Sequence, residues 1–289
     1  MTNISIFAQK AFLNTDPKHE FVYTGTKPRK GYLKRVSSII RADQVALATN
    51  AKINPRQGYK KDVCIYIKPE LDTDHDFKFE GDSSYLDVID ELGYAAVLKK
   101  HPKVCAIVLS ERDFITLASV GVTNKIVIIP QHHCNFERKK RTRKKIITVG
   151  VIGNYRAFPY LPAQLKQNLS QRNMKLLEFS QFFTRQDVID FYKSIDIQIV
   201  WRPYLKKLAN PLKIVNAASF GIPTIALDEI YFKELGNCYI GVRDFNHFLI
   251  ELDRLRASST LYDAYSKLCL KKAENYHIEE IAKLYKNLR

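Results

Sequence analysis

The sequence predicts an α/β protein of two compact units built from βαβ elements. Three observations carry that expectation. The chain has 289 residues, longer than the ~100–200 usual for one domain. Short apolar runs rich in Val and Ile alternate with stretches of helical period, as in βαβ units. The same alternation begins afresh after a basic run at residues 138–145. Hydrophobic residues make up 46% of the chain and aromatic residues 11%, enough for two ordinary cores and too much for wholesale disorder.

In the first half, strands are expected at 19–25 (HEFVYTG), 44–49 (QVALAT), 62–68 (DVCIYIK), 103–110 (KVCAIVLS) and 125–130 (KIVIIP). Continuous apolar runs of this length suit a parallel sheet covered on both faces. Helices are expected over 83–101, opened by serine caps, and over 111–122. In the second half the pattern restarts with the strand KIITVGVIGN (145–154), followed by a helical region. Thr184 and Asp187 form a capping box ahead of VIDFYKSID. Next come the strand IQIVWRP (197–203), the helix PLKIVNAASFG (211–221) and the strand PTIALD (223–228). Gly221 and Pro223 close that helix in the usual order, glycine at the end and proline just past it. The stretch from Leu261 onward is helical in period and carries no glycine or proline. The expected division is 1–135 and 146–270 for the two domains, a basic linker at 136–145, and a C-terminal helix at 271–289 lying across the body.

The segment from Asn210 to Asp228, NPLKIVNAASFGIPTIALD, resembles the donor-binding motif of GT-B glycosyltransferases, particularly the family 4 type. Ala217, Gly221, Pro223, Ile225 and Ala226 match its A-x-A-x-G-x-P-V-I-A frame, and the preceding FFTRQDVIDFYKSIDIQIVWRP resembles the helix and strand that lead into it. The resemblance covers residues 146–270 well and the first half only in general architecture. It implies two Rossmann-like domains with parallel sheets facing across a cleft, residues 1–135 on the acceptor side and residues 146–270 holding the nucleotide sugar. The implied reaction is transfer of a hexose from a nucleoside diphosphate sugar, such as a UDP-sugar, to an acceptor hydroxyl. It also implies no essential metal or other cofactor, and retention of configuration. Family 4 members carry two glutamates eight positions apart, the second contacting ribose and the first the sugar. Asn216 and Leu208 stand at those positions, so a ribose contact from an amide is expected, and the sugar contact comes from elsewhere or is absent.

The chemistry of the motif can be stated without the family. Open parallel sheets bind ligands outside the carboxyl ends of their strands, where helix N-termini present unpaired N–H groups and a positive dipole end. Pro211 can begin a helix at no cost in hydrogen bonds, which places Lys213 in the first turn beside a bound diphosphate and Asn216 one turn later. Gly153 and Asn154 follow the first strand of the second domain; the glycine allows close backbone approach, and Arg156 offers a forked phosphate contact. Arg202 offers the same after the strand ending at Trp201, whose indole either stacks on a base or packs in the core. His132 and His133 follow the last strand of the first domain, where the resemblance sets a turn into the second; His133 is a candidate for donor binding or proton transfer. Lys213 and His133 are the candidate catalytic residues.

Two further features are weighed against ordinary surface turns. Asp72-Thr-Asp-His-Asp76 offers a D-x-D that could hold a divalent ion, although a metal is not expected. Tyr23 to Gly31 forms a basic loop whose Gly25, Thr26 and Lys27 would line the cleft opposite the donor.

The net charge of +16 is concentrated in RKKRTRKK at 138–145, seven of whose eight residues are basic. Such a run attracts an anionic membrane surface or nucleic acid, or is a solvated linker. Acceptors of both kinds fit: a glycolipid or envelope glycan at a membrane, and, as an alternative, DNA carrying a modified base. Other readings are a non-catalytic nucleotide-sugar-binding protein and an epimerase of the same fold. The five cysteines are scattered with no C-x-x-C, so neither a disulfide framework nor zinc is indicated. With no long apolar stretch and no secretory leader in the sequence, a cytoplasmic protein is expected, peripheral at most to the inner face of a membrane. Oligomeric state is open.

Overall fold

The computed structural model of the chain describes residues 3–8, 36–180, 182, 184–202, 208 and 210–289. The expected strand at 19–25 and the loop with Gly25, Thr26 and Lys27 lie outside the described residues. By internal contacts the chain forms two units, residues 1–132 with 206–210 and 278–289, and residues 133–205 with 211–277.

The first unit is a six-stranded, wholly parallel sheet. Its strands are β1 (Ile4–Ala8), β2 (Lys52–Ile53), β3 (Val63–Ile67), β4 (Ser83–Asp87), β5 (Cys105–Val108) and β6 (Ile126–Ile128). They lie in the order β2-β1-β3-β4-β5-β6, so the direction of winding reverses between β1 and β3. Every residue of β3 is buried, as a central parallel strand requires. The helices α1 (Val36–Ser38) and α2 (Val45–Thr49), joined by a π-helical turn over Ile39–Gln44, precede β2. α3 (Tyr94–Lys100) and α4 (Glu111–Ser119) follow β4 and β5. Leu86, Val88, Val97, Leu98 and Leu117 are the centre of its core.

Two expectations for this unit are corrected. QVALAT is helical, not extended. Its Ala and Leu favour a helix, and a short apolar run cannot by itself distinguish a buried helix from a buried strand. The stretch 83–101 divides into strand β4 and the short α3: Tyr85, Leu86 and Asp87 sit fully buried between β3 and β5. The serines expected as caps begin that strand, and the Ser84 hydroxyl donates to the Gly81 carbonyl at 2.8 Å.

A buried ion pair holds the first unit's interior. Arg41, wholly buried, donates from Nε to Asp87 Oδ2 at 2.7 Å and from Nη1 to the carbonyls of Ile129 and Pro130, each at 3.0 Å. One guanidinium thus joins the end of β4 to the segment after β6. Burial opposes its charge, and the Asp87 carboxylate more than offsets that, so the arginine stays protonated.

The second unit is a five-stranded parallel sheet in the order β11-β10-β9-β7-β8. The strands are β7 (Thr148–Ile152), β8 (Lys175–Phe179), β9 (Ile197–Val200), β10 (Thr224–Leu227) and β11 (Ile240–Val242). Its winding reverses between β7 and β9. The helices are α5 (Leu165–Gln171), α6 (Arg185–Ser194), α7 (Leu212–Ser219), α8 (Phe245–Ala257) and α9 (Ser259–Ala273). Thr184 and Asp187 make the expected capping box, with Thr184 N–H donating to Asp187 at 2.8 Å and Asp187 N–H to Thr184 at 3.1 Å. A cap of this kind is worth roughly 0.5–2 kcal/mol. Chain reversal after α7 follows Gly221, at φ +72°. α10 (Ile278–Lys286) then packs on α2 in the first unit.

The basic run is fastened to the second unit. Arg141 and Arg143 both pair with Asp196 at 3.0 and 3.2 Å, and Arg138 pairs with Glu274 at 3.1 Å. The buried Asp196 carboxylate also accepts the N–H groups of Ile147 and Thr148, each at 2.8 Å. Lys140, Lys144 and Lys145 remain exposed.

Candidate functional site

The site forms at the carboxyl edge of the second unit's sheet, where winding reverses, the usual position for a ligand in an open parallel sheet. Gly153 follows β7 there, buried and at φ +155°, a backbone conformation that strains any residue with a Cβ. Its N–H donates to the Phe179 carbonyl at 3.0 Å. A Cβ built on Gly153 would lie 2.6 Å from Lys213 Nζ. The glycine's missing side chain is therefore the space that the ammonium occupies. Asn154 is exposed beside it. Arg156 falls in the 3-10 turn Tyr155–Tyr160, but its side chain lies outside the described residues.

Lys213 is exposed on the first turn of α7. Pro211 is that helix's N-cap, with no side-chain cap bond, and its carbonyl accepts the Val215 N–H at 3.0 Å. The turn is held from below by Tyr192, whose hydroxyl donates to the Lys213 carbonyl at 3.2 Å and whose ring stacks on Phe220 at 5.5 Å. Burial raises the Tyr192 phenol well above its ordinary range, so it remains a donor. Together these elements place an ammonium, a glycine backbone and a helix N-terminus at one edge, an arrangement suited to a phosphorylated ligand.

Four other predicted residues are engaged in packing. Asn216 is buried, and its Oδ1 accepts the Cys134 N–H at 2.8 Å, so its amide oxygen holds the chain after the first unit. Trp201 is half-buried and packs against the core cluster, meeting Phe248 edge-on at 6.2 Å and Phe245 at 6.5 Å. Arg202 donates from Nε to Glu229 at 3.0 Å and pairs through Nη2 with the same carboxylate, so its fork is turned to a carboxylate where a phosphate was expected. His133 is 2% exposed, and its Nδ1 accepts the Asn135 N–H at 3.1 Å. His132, equally buried, bonds through Nε2 to the Ile40 carbonyl at 3.0 Å. Leu208 is 2% exposed in the first unit's core cluster.

Sequence reasoning missed Glu229 and Tyr192. Glu229 is a buried carboxylate just past β10, and no local pattern announces that Arg202, 27 residues earlier, is its partner. The D-x-D stretch is a self-satisfied turn. Asp72 Oδ1 accepts the N–H groups of Asp74 and Asp76 at 3.0 and 2.9 Å, and Asp76 pairs with His101 at 2.7 Å. Among the described residues no group of three or more His, Cys, Asp or Glu could hold a metal ion, and no helix is long and apolar enough to cross a membrane.

No protein-family model matches the sequence, and no curated protein matches it. Solved structures do. Sucrose-phosphate synthase from Thermosynechococcus elongatus superposes with a TM-score of 0.59 at 13% identity, covering 98% of this chain and 88% of that one. A glycosyltransferase from Rickettsia africae ESF-5 gives 0.53 at 11% identity over 99% and 97% of the two chains. A TarM variant from S. aureus, in complex with fondaparinux, alpha-GlcNAc-glycerol and UDP, gives 0.56 at 13% identity over 81% of this chain. This chain spans 52% of that TarM chain, about half its length. The two parallel sheets with their helices are thus the α/β architecture of GT-B glycosyltransferases, and GT-B is the fold of this chain.

Proposed function

We propose that this protein is a glycosyltransferase that takes a nucleoside diphosphate sugar at the second unit's carboxyl edge and transfers the sugar to an acceptor hydroxyl. One observation carries the proposal: the Lys213 ammonium lies in the space left by Gly153, at the start of α7 and at the reversal of strand order. The UDP bound in the TarM complex supports a uridine nucleotide as the first ligand to try. As the sugar–phosphate bond breaks, charge develops on the leaving diphosphate. The Lys213 ammonium and the helix N–H groups would stabilise that charge more in the transition state than in the ground state. We assign no metal to this step and expect retention of configuration. The acceptor is proposed to be an envelope glycan or glycolipid, with Lys140, Lys144 and Lys145 drawing the protein toward an anionic surface.

A thermal-shift screen of UDP, GDP, TDP and CMP, with and without their sugars, tests the donor assignment. Stabilisation by one nucleotide, lost in Lys213→Ala, is expected; no response to any of them would sink it. A second reading, nucleotide-sugar binding without turnover, is favoured by the packing roles of Asn216 and Leu208. Transfer assays across donors and acceptors separate the two, because the second predicts binding and no product.

A further inference from the structure

The second unit holds a cavity of about 330 Å³ between the segment 141–146 and α9, within the roughly 300–1,000 Å³ of small-molecule sites. The segment leads into β7, and Gly221, also in the lining, leads into β10. The cavity therefore lies at the amino ends of these parallel strands, the edge opposite Lys213. Ser259, Tyr262, Asp263 and Ser266 supply one wall, spaced three and four apart along one face of α9. The opposite wall is fixed by its own bonds. Arg141 N–H donates to the Phe220 carbonyl at 2.9 Å, its Nη2 donates to the Lys145 carbonyl at 2.8 Å, and its guanidinium lies 4.8 Å from the Tyr262 ring centre. A Cβ on Gly221 would lie 2.6 Å from Ser266 Oγ, so the glycine is what lets α9 come this close.

The charges in this lining do not balance. Arg141 and Arg143 share one carboxylate, Asp196, so two guanidinium charges meet a single negative one. Arg143 spends its other nitrogens on the Ser194 carbonyl and the Thr148 hydroxyl. The Arg141 side chain is only 9% exposed, and among the described residues its Nη1 has no hydrogen-bond partner. The same holds for the Lys144 ammonium and for the hydroxyls of Thr142, Ser259 and Ser266. Guanidinium, ammonium and hydroxyl donors converging on one recess suit the oxygens of a phosphate. The first turn of α9 carries no acidic residue to offset its dipole. Asp263 narrows the choice. Exposed in the same lining and without an ion-pair partner among the described residues, it repels a bare phosphate and accepts hydrogen bonds from hydroxyls. A neutral saccharide would leave the cations unanswered. We propose that this cavity binds the phosphate ester of a small polyol, either free or as the headgroup of a phospholipid. The site shares no residue with the nucleotide edge and stands apart from the transferase reading.

Calorimetry of the whole chain with glycerol 3-phosphate, inorganic phosphate and glycerol tests this, alongside cosedimentation with phosphatidylcholine vesicles with and without phosphatidylglycerol. Glycerol 3-phosphate or the phosphatidylglycerol vesicles are expected to bind, and the free ester more tightly than phosphate or glycerol. Affinity should fall tenfold or more in Thr142→Glu, which sets a negative charge in the lining, and several-fold in Lys144→Ala. It should be unchanged in Lys140→Ala, whose ammonium is not part of the lining. Asp263→Asn should strengthen inorganic phosphate and narrow the preference for the ester. All four positions are exposed, so folding is not at stake. Binding of the free ester alone assigns a soluble ligand; phosphatidylglycerol-dependent sedimentation that glycerol 3-phosphate displaces assigns the headgroup. Binding of neither form, or affinity indifferent to Thr142→Glu, overturns the proposal. An equal loss in Lys140→Ala and Lys144→Ala, the mark of diffuse attraction, overturns it too, as does binding of duplex DNA in place of both esters.

Discussion

The two units share a design, a parallel sheet whose winding reverses once, and equip the two reversals differently. In the second unit the reversal carries Gly153, the exposed ammonium of Lys213 and the start of α7. In the first it carries the rings of Phe7, Tyr66 and Phe77 and a balanced Arg56 and Glu70. The contrast shows that the backbone provides the place and a handful of side chains set the chemistry. An exposed positive charge suits a diphosphate; rings with paired charges do not.

The most disruptive way to probe this contrast is Arg41→Ala. It leaves Asp87 buried without its cation and should cost the first unit about 3–5 kcal/mol, read by chemical denaturation. UDP binding, which rests on the second unit's residues, is expected to persist. Its loss would show that the units are not separable. Lys213→Ala comes next, with nucleoside diphosphate affinity reduced roughly 10–100-fold, as for loss of a charged hydrogen bond, and the first unit's stability unchanged by chemical denaturation. A loss of that stability would break the contrast. Gly153→Ala should displace the ammonium and strain the backbone by about 1–3 kcal/mol, lowering UDP affinity; an unaltered affinity would show that Lys213 need not occupy that space.

The smallest effect concerns acid. The hydrogen bond from Arg185, 2.5 Å from the carboxylate, holds Glu137 below its usual pKa, with the arginine's charge adding to it. A group depressed in the folded state stabilises it above the unfolded pKa of about 4.3, and that contribution is lost as pH falls through the folded value. Because Glu137 is partly exposed, the effect should be under ~1 kcal/mol. Wild type and Glu137→Gln should therefore differ in melting temperature at pH 7 and converge at the lowest pH. A constant difference would place the contact's worth outside the titration.

Where the sequence was readable, the signals were local. The capping box at Thr184, the Gly221–Pro223 stop, and the apolar runs of β3, β5, β7, β9 and β10 each involve residues a few positions apart. Lys213 and Gly153 were both nominated on local grounds, and the structure brings them together. The partners of the other nominated residues lie far along the chain or in another element. Asn216 is used by Cys134, 82 residues earlier, and Trp201 by the rings of α8. Arg202 is used by Glu229 and the basic run by Asp196, and no residue in either vicinity reveals the pairing. β1 went unassigned, and β4 and α2 were misread, because short buried segments have the same composition in either conformation.

α10 has a bearing on how the chain is made. Its Tyr285 is fully buried, with the Arg41 guanidinium 5.4 Å from its ring centre, and nearby Arg289 shares backbone hydrogen bonds with the Tyr85 hydroxyl at 2.6 and 3.2 Å. The first unit thus waits for residues translated after the whole of the second. Amino-terminal domains commonly mature first during synthesis, but here part of the first unit's packing is supplied by residues that follow the second. The second unit can close while the first remains open along the surface that α10 will cover.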